Sequence, residues 1–192
     1  MSLGESFPSA LEAARGGQRW AWEAVYRDLS PVVLGYLRAQ GASEPSDLTG
    51  EVFLQVVRDL GRFDGGESQF RGWVFAIAHN RLVDQRRRLK SRPAEPLPVD
   101  EIEDAQVGGS VEDEALSSIG EQRVRQILAT LTEDQRAVLL LRILGDLTAQ
   151  QVATALGRTP GAVRALERRG LATLKRQLSM VKRQQLSNVE VT

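Results

Sequence analysis

The chain has 192 residues, no cysteine, and 25 basic and 25 acidic side chains that cancel. The lack of cysteine excludes a disulfide framework and a thiolate metal site. No apolar run approaches the length of a membrane span, and the N-terminal segment lacks the basic start and long apolar core of a signal peptide. We therefore expect a cytoplasmic protein without membrane insertion.

The charges are unevenly distributed along the chain. Residues 1–90 hold 12 basic and 11 acidic side chains, residues 91–121 hold 1 and 9, and residues 122–192 hold 12 and 5. The segments therefore carry net charges of +1, −8 and +7. This pattern indicates two folded pieces joined by an acidic linker, of which the last piece suits a polyanion.

Helical periodicity dominates the chain and no segment alternates like a strand, so we predict an all-α fold of two small helical domains. Short helices are expected over residues 9–15 and 19–28, followed by a third that opens at Ser30 and Pro31 and ends at Gly41. The candidate core residues of this stretch are Trp20, Val25, Tyr26 and Leu29.

A fourth helix, predicted from Pro45 to Leu60, has an apolar stripe at four-residue spacing. The stripe consists of Leu48, Val52, Val56 and Leu60, widened by Phe53 and Val57. A different face of this helix carries polar residues at helical spacing, namely Asp47, Glu51, Gln55 and Arg58. Such a face is usually just solvated, so it does not by itself indicate a docking site.

A polar loop over residues 62–69 precedes a long fifth helix, which Ser68 caps and which reaches about Lys90. Its inner stripe is Phe70, Trp73, Val74, Ile77 and Leu82, and its other face carries Arg71, Asn80, Asp84, Arg87 and Arg88. A basic helix end with aromatic residues upstream suits unpaired nucleic acid, because charge follows the backbone and rings accept bases. The alternative is that the rings are core and the arginines only aid solubility.

Residues 91–121 contain three closely spaced prolines and mostly acidic charge, which predicts an extended or disordered linker. From Gln122 a helix is expected to about Leu131, and Thr132 caps the next one. Further on, the chain is predicted to stay helical through Leu178, and its last residues to fray.

The segment from Thr148 to Arg169 has the pattern of a helix-turn-helix. Ala153 lets two helices cross closely, and Gly157 can adopt the left-handed conformation that ends the first helix. Thr159 caps the second helix, and Pro160 occupies its first position. Val163 and Leu166 then pack back on Val152 and Leu156.

The outer face of this second helix carries Arg164, Arg168 and Arg169. Such side chains can bind guanine edges or phosphates, and the open helix N-terminus offers amide donors. The alternative is a plain helical hairpin with solvated arginines. DNA binding is favoured because turn chemistry, capping and charge agree.

Three segments together resemble the extracytoplasmic-function (ECF) sigma factors of bacterial RNA polymerase. They are SDLTGEVFLQVVRDLGRF, FRGWVFAIAHNRLVDQRRR and LTEDQRAVLLLRILGDLTAQQVATALGRTPGAVRALERR. A helix-turn-helix alone is unspecific, but three segments in register are highly specific. The resemblance covers roughly residues 7–180. It implies a region 2 domain over residues 1–90, a linker over 91–121, a region 4 domain over 122–183 and a frayed tail over 184–192.

The resemblance also implies a role for each surface. The residues that would face the clamp coiled coil of the largest subunit of core RNA polymerase are Asp47, Glu51, Gln55 and Arg58. The residues implied for the downstream (minus ten) element and its melting are Phe63, Ser68, Phe70, Arg71, Trp73, Asn80, Asp84, Arg87 and Arg88. Those implied for the upstream (minus thirty-five) element are Arg158, Thr159, Arg164, Ala165, Arg168 and Arg169.

The function implied is promoter recognition and DNA melting for transcription initiation by core RNA polymerase. Base flipping would make DNA melting depend on the promoter sequence, because a binding pocket offsets the lost stacking energy only when it holds the right base. The flap of the second-largest subunit is a further implied partner, and an anti-sigma factor is common in the family. No cofactor, metal, catalytic residue or small-molecule substrate is expected.

Two other classes of protein fit the sequence less well. A free-standing repressor or activator would explain the helix-turn-helix but neither the face from Asn80 to Arg88 nor the acidic linker. An enzyme is a poor candidate, because His79 is the only histidine and no carboxylate pair is backed by a matching base or a glycine-rich phosphate loop.

Overall fold

The computed structural model describes residues 4–91 and 122–189, and all regular structure in these two ranges is helical. The predicted all-α class is confirmed. The α-helices are α1 (Phe7–Arg15), α2 (Arg19–Ala39), α3 (Pro45–Asp59), α4 (Glu67–Ser91), α5 (122–129), α6 (Glu133–Ile143), α7 (Ala149–Ala155) and α8 (Pro160–Val189). Short 3-10 turns cover Gly4–Ser6 and Leu60–Arg62. Apart from Ser91, the predicted linker lies outside the described residues.

Helix α2 corrects the prediction of a break at Ser30 and Pro31. It runs without interruption through Pro31, whose ring is exposed. Proline inside a helix removes one backbone hydrogen bond and crowds the preceding turn, at a cost of about 3 kcal/mol. Burial of Leu29 and Val33, one turn apart on the opposite side, offsets this cost. A local stop signal is therefore overridden by packing.

Three side chains assigned to the core are largely exposed instead. Trp20 is 55% exposed, Tyr26 49% and Val57 50%. Trp20 lies in the first turn of α2, and the Tyr26 ring meets the Phe53 ring edge-on, with ring centroids 4.8 Å apart. The predicted core positions Val25 and Leu29 are buried as expected.

The start of α4 also differs from the prediction. The helix begins at Glu67, so Ser68 lies inside its first turn and is not the cap. Gly66 stands at the cap position instead, and its N–H donates to Oε1 of Gln69 over 3.1 Å. This is the back-bond of a capping box, made by a residue three positions into the helix, and it satisfies an amide that the helix leaves unpaired.

Two complete capping boxes start α6 and α7. The cap at Thr132 is the predicted one, and the box at Thr148 is an addition that the structure makes. The Thr132 hydroxyl accepts from the Gln135 N–H, and Gln135 Oε1 accepts from the Thr132 N–H, both at 3.3 Å. Thr148 and Gln151 repeat the arrangement at 2.8 and 3.3 Å. The start of the short helix α7 is thus fixed by hydrogen bonds.

Helix α8 runs to Val189, past residue 184 where the frayed tail was expected.

A single buried apolar cluster joins an N-terminal bundle (α1–α4) to a C-terminal bundle (α5–α8). It includes Val74 and Phe75 of α4 together with Leu141 of α6 and Leu147 of the α6–α7 turn, all 1% exposed or less. Helix α7 packs against α4. None of the helices in the described ranges combines the length and apolar composition needed to cross a bilayer.

Candidate nucleic-acid interface

Helices α7 and α8 are joined by a turn that matches the helix-turn-helix expectation. Gly157 has φ of +61°, the left-handed conformation predicted for it. The Arg158 N–H donates to the Ala153 carbonyl at 2.8 Å and the Gly157 N–H to that of Thr154 at 3.3 Å, which is the Schellman pattern of a helix end. The Thr159 hydroxyl then accepts from the Ala162 N–H at 3.2 Å, so Thr159 caps α8 as predicted.

The first two turns of α8 separate an inner side from an outer side. Val163 is fully buried, and Leu166 packs on the core, as expected. Glu167 is held by the Nε of Arg142 on α6, at 3.0 Å. On the outer side Arg164 and Arg168, one helical turn apart, are exposed. They make no ion pair with any residue that the structure describes, so both guanidinium groups face solvent at the helix end nearest the turn.

The other residues predicted for the upstream element lie close by. Arg169 and Thr159 are exposed, and Ala165 is half-buried. Arg158 is already engaged, because its Nη2 donates to both carboxylate oxygens of Asp134, at 2.9 and 2.8 Å. Both side chains of this pair are about half exposed, so water screens it and Arg158 can exchange Asp134 for a phosphate at modest cost. The structure therefore brings the whole upstream set to one end of the C-terminal bundle.

The loop before α4 is built around an aromatic cluster. The Phe63 ring stacks on Trp73 with centroids 5.1 Å apart and meets the Phe70 ring edge-on at 5.3 Å. Gly65 lets the loop close, since it has φ of +150° and a Cβ there would lie 3.1 Å from Cζ of Phe63. Phe70 is 1% exposed, whereas Phe63 and Trp73 are half-buried. Phe70 is thus a core residue. Of the three rings, only Phe63 and Trp73 retain surface on which a base could stack.

The second half of α4 presents a polar face to solvent. Asn80, Asp84, Arg87 and Arg88 are all exposed there. They lie within nine residues, and the first and last are about 12 Å apart along the helix axis. The basic residues between them behave differently: Arg81 Nε donates to Oε1 of Gln55 on α3 at 3.0 Å, and Arg86 bonds the Gln40 carbonyl. The exposed face therefore holds the residues available to a ligand, and the partnered arginines fasten α4 to its neighbours.

Arg71 and Ser68 lie apart from that exposed face, at the first turns of α4. Nη1 of Arg71 lies 3.4 Å from Oδ2 of Asp28, and its Nε donates to the Gly145 carbonyl at 3.3 Å. The Arg71 side chain is 17% exposed. Ser68 contacts Gln151 of α7. The residues predicted for the downstream element thus fall into three groups, and one group is committed to contacts with the C-terminal bundle.

The polar face of α3 includes apolar surface that the sequence pattern did not reveal. Asp47, Glu51 and Arg58 are exposed there, as a solvated or docking face requires. Leu54 and Val57 beside them are 66% and 50% exposed. The periodicity placed Val57 in the core and passed over Leu54, although a leucine among charged neighbours on a helix face is itself a signal. Exposed apolar groups rimmed by charge are typical of a protein-binding surface.

A polar cluster lies where α4 meets α2 and the C-terminal bundle. The Tyr36 hydroxyl lies 2.9 Å from Nδ1 of His79, and Arg86 forms a 3.3 Å ion pair with Glu133 of α6. Burial raises the pKa of Tyr36, so its hydroxyl stays protonated. Burial also lowers the pKa of His79, and the nearby charges of Arg86 and Arg158 lower it further against the opposing effect of Asp134. His79 is therefore neutral at pH 7, and it contributes a hydrogen bond to the packing of α4 against α2.

Comparison with known protein families assigns each bundle to a conserved region of a known family. Residues 22–92 match the family model for sigma-70 region 2, and residues 121–174 match the model for sigma-70 region 4. The described helices of these ranges contain the α3 face, the α4 face and the helix-turn-helix. The fold and its surfaces thus define a two-domain sigma factor of the sigma-70 type.

Similarity to individual proteins shows to which group of sigma factors the chain belongs. The chain is 32% identical to the ECF RNA polymerase sigma factor SigD of Mycobacterium tuberculosis (strain ATCC 25618 / H37Rv), over 91% of this chain and 85% of SigD. It is 30% identical to the ECF RNA polymerase sigma factor BldN of Streptomyces coelicolor (strain ATCC BAA-471 / A3(2) / M145), over 88% of this chain and 64% of BldN. The chain therefore belongs to the ECF sigma factors, which direct promoter-specific transcription initiation by RNA polymerase.

A solved structure has the same fold. CnrH, determined in complex with the cytosolic domain of CnrY, superposes with a TM-score of 0.66 at 20% identity, covering 92% of this chain and 99% of CnrH. At this identity the likeness speaks for the fold alone, and it agrees with the arrangement of helices described above.

The neutral state of His79 predicts a specific pH dependence of stability. Its folded-state pKa lies below the ordinary 6.5, so the unfolded chain takes up a proton first as the pH falls. The stabilisation is complete above pH 6.5 and is lost progressively below it. We expect the melting temperature to fall more between pH 8 and pH 5 in the parent chain than in His79→Gln, as measured by circular dichroism.

His79→Gln is a close control, because its amide keeps a partner for Tyr36 but does not titrate, while every carboxylate is unchanged. Equal losses of melting temperature in the two chains would show that His79 is not the group responsible.

Proposed function

We propose that the chain reads two promoter elements with two separate surfaces and assists the opening of DNA at one of them. The observation that supports this most strongly is the pair of exposed polar and basic helix faces, one in each matched region. Arg164 and Arg168 lie in the first turns of α8 in the C-terminal bundle, and the face from Asn80 to Arg88 lies in the second half of α4 in the N-terminal bundle. Neither face is covered by the described part of the chain.

The upstream element is assigned to the turn and the first two turns of α8. Arg164 and Arg168 lie on one side of a helix whose N-terminus is capped and exposed, which is the docking geometry of a helix-turn-helix in a major groove. Arginine forks can bind guanine edges in two contacts each. Arg158, Thr159 and Arg169 surround this centre and suit contacts to the phosphate backbone, which position the helix without carrying sequence information.

The downstream element is assigned to α4 and the loop before it. Arg87 and Arg88 supply positive charge for a backbone, and Asn80 offers a donor and an acceptor for a base edge. Phe63 and Trp73 retain partial surface at the other end of the helix. A single strand that followed this face would meet first charge, then an amide, then rings, which is the combination that binds unpaired bases.

The core-binding surface is assigned to α3. Leu54 and Val57 would supply the apolar centre of a contact with the clamp coiled coil, and Asp47, Glu51, Gln55 and Arg58 its polar rim. The flap of the second-largest subunit is proposed as the partner of the C-terminal bundle. In this role the chain performs no covalent chemistry, and it acts in the cytoplasm, where it positions the polymerase. The family resemblance also suggests control by an anti-sigma factor.

The first test separates this role from that of a free-standing repressor. The purified chain should bind duplex promoter DNA weakly and should bind it tightly once core polymerase is added, because each surface alone offers few contacts. Fluorescence anisotropy at a fixed salt concentration measures both affinities, since phosphate contacts make affinity depend on salt. Tight, sequence-specific binding of duplex by the chain alone would favour a repressor.

The second test concerns the upstream element. Arg164→Ala combined with Arg168→Ala should reduce transcription from a promoter with both elements by about tenfold or more, since each lost base contact is worth about 1–3 kcal/mol. Binding to core polymerase should be unchanged. The matched control is Lys175→Ala with Arg176→Ala, which removes the same charge farther along α8. The upstream assignment fails if the two double variants transcribe equally well.

The third test concerns melting. Asn80→Ala should reduce the fraction of open complex more than the fraction of closed complex, because its amide would meet a base only after the strands part. Permanganate footprinting on a cognate promoter measures unpaired thymines, and the closed complex of the same variant is the internal control. A proportional loss of both complexes would count against a role in melting.

A further inference from the structure

The loop between α3 and α4 needs contacts from outside itself to keep one shape. Residues 64–66 are exposed and include two adjacent glycines, of which Gly65 has φ of +150°. Glycine loses more conformational freedom on folding than any other residue, so such a loop would sample many conformations unless other elements held it. The geometry of the aromatic rings at its ends therefore depends on what holds the backbone between them.

Arg15, the last residue of α1, supplies one contact of this kind. Its Nη2 donates to the carbonyl of Phe63, 48 positions away, where the loop begins. Nη1 of the same guanidinium lies 3.3 Å from Oε2 of Glu12, one turn earlier on α1. The Arg15 side chain is 31% exposed, so its contacts are partly shielded from water. Glu12 thus orients the guanidinium, and the guanidinium holds the loop backbone.

Two further contacts join the same N-terminal segment to the far end of the loop. The Gly4 N–H donates to Oε2 of Glu67, the first residue of α4, at 3.0 Å. The buried Phe7 ring meets the Phe70 ring with centroids 5.5 Å apart. The segment therefore contacts the loop at both of its ends. We call Gly4, Phe7 and Arg15 the N-terminal brace.

The brace acts on the part of the loop on which a base could stack. Phe63 is held through its carbonyl by Arg15 and through its ring by Trp73, whose plane is inclined to it by 27°. The Phe63 N–H donates to the Leu60 carbonyl at 3.1 Å. Three different residues thus hold Phe63 in one orientation. A surface that is already ordered loses less conformational entropy when a ligand binds, and it keeps the geometry that distinguishes one ligand from another.

We propose that Arg15 is a positioning residue for base recognition at the downstream element, which acts through the Phe63 backbone without touching DNA. This inference rests on the proposed function of the loop and assigns part of its base preference to α1. The alternative is that Arg15 only attracts phosphates. In that case its loss would weaken binding of every sequence equally, because attraction to the backbone carries no sequence information.

Three variants distinguish the two roles. Arg15→Met keeps an unbranched side chain but removes the charge and all N–H donors. Arg15→Lys keeps the charge and an N–H donor. The matched control is Arg19→Met, which removes the same charge at the start of α2, where the side chain is 93% exposed and pairs with Glu23 of its own helix. Circular dichroism checks that each variant is folded.

The order of the loop can be measured in the free chain by amide hydrogen exchange and mass spectrometry. Peptides that cover residues 61–70 report on the loop, and peptides of α8 are the internal reference. Arg15→Met should exchange about fivefold faster in the loop, since one hydrogen bond is worth roughly two- to tenfold in an opening equilibrium. Arg15→Lys and Arg19→Met should match the parent chain. Equal exchange in all four chains would overturn the role of the brace.

Base preference is then measured on the complex with core polymerase. Fluorescence anisotropy gives its affinity for single-stranded oligonucleotides of a cognate downstream element, in which one base at a time is changed. Arg15→Met should reduce the ratio of affinities for the best and the worst base by about threefold or more at the position that the loop reads. Arg15→Lys should restore the ratio. A loss that is equal for all bases and matches that of Arg19→Met would show phosphate attraction and overturn the proposal.

Failure of this proposal and failure of the proposed function give different results. If the parent complex prefers no base at any position, the loop does not read the downstream element, and the positioning role of Arg15 falls with that function. If the parent complex discriminates between bases and Arg15→Met discriminates equally well, the proposed function stands and only the positioning role is overturned.

Discussion

The apolar circumference of α4 is the constraint on which the arrangement of the chain depends. Between Phe70 and Leu82 this helix buries residues on more than one side, so one neighbouring layer cannot cover it. Helices α2 and α3 cover part of it, and α7 with the α6–α7 turn covers part of the remainder. The helix that carries the proposed strand-opening face is therefore also the helix that holds the two bundles together.

The two halves of α4 therefore have different roles, one in packing and one in the proposed binding of DNA. The first half is apolar and packed, with Gly72 and Phe75 at the contact with the C-terminal bundle. The second half is polar and exposed, with Asn80 and Arg87 facing solvent. A basic face alone gives sequence-independent attraction, and selectivity comes from contacts to base edges. Core polymerase would hold the two proposed surfaces at a fixed distance, so that two weak sets of contacts act together.

Local features of the fold could be predicted from the sequence, because their causes are local. Thr132, Gly157 and Thr159 act through neighbours within five residues, and each is found as expected. Predictions that depended on distant packing were less reliable. Pro31 did not end α2, because the burial of residues around it outweighs one lost hydrogen bond. The contact of Gln151 with Ser68, 83 positions away, leaves no periodic signal, so it could only be found in three dimensions.

The central claim is that this chain gives core RNA polymerase a two-part promoter specificity. Run-off transcription of the native genome with the cognate core polymerase, with and without the chain, followed by sequencing of transcript 5′ ends, measures it most directly. The account predicts new start sites preceded by two shared motifs at constant spacing. An absence of new start sites, or start sites that share only one motif, would contradict it.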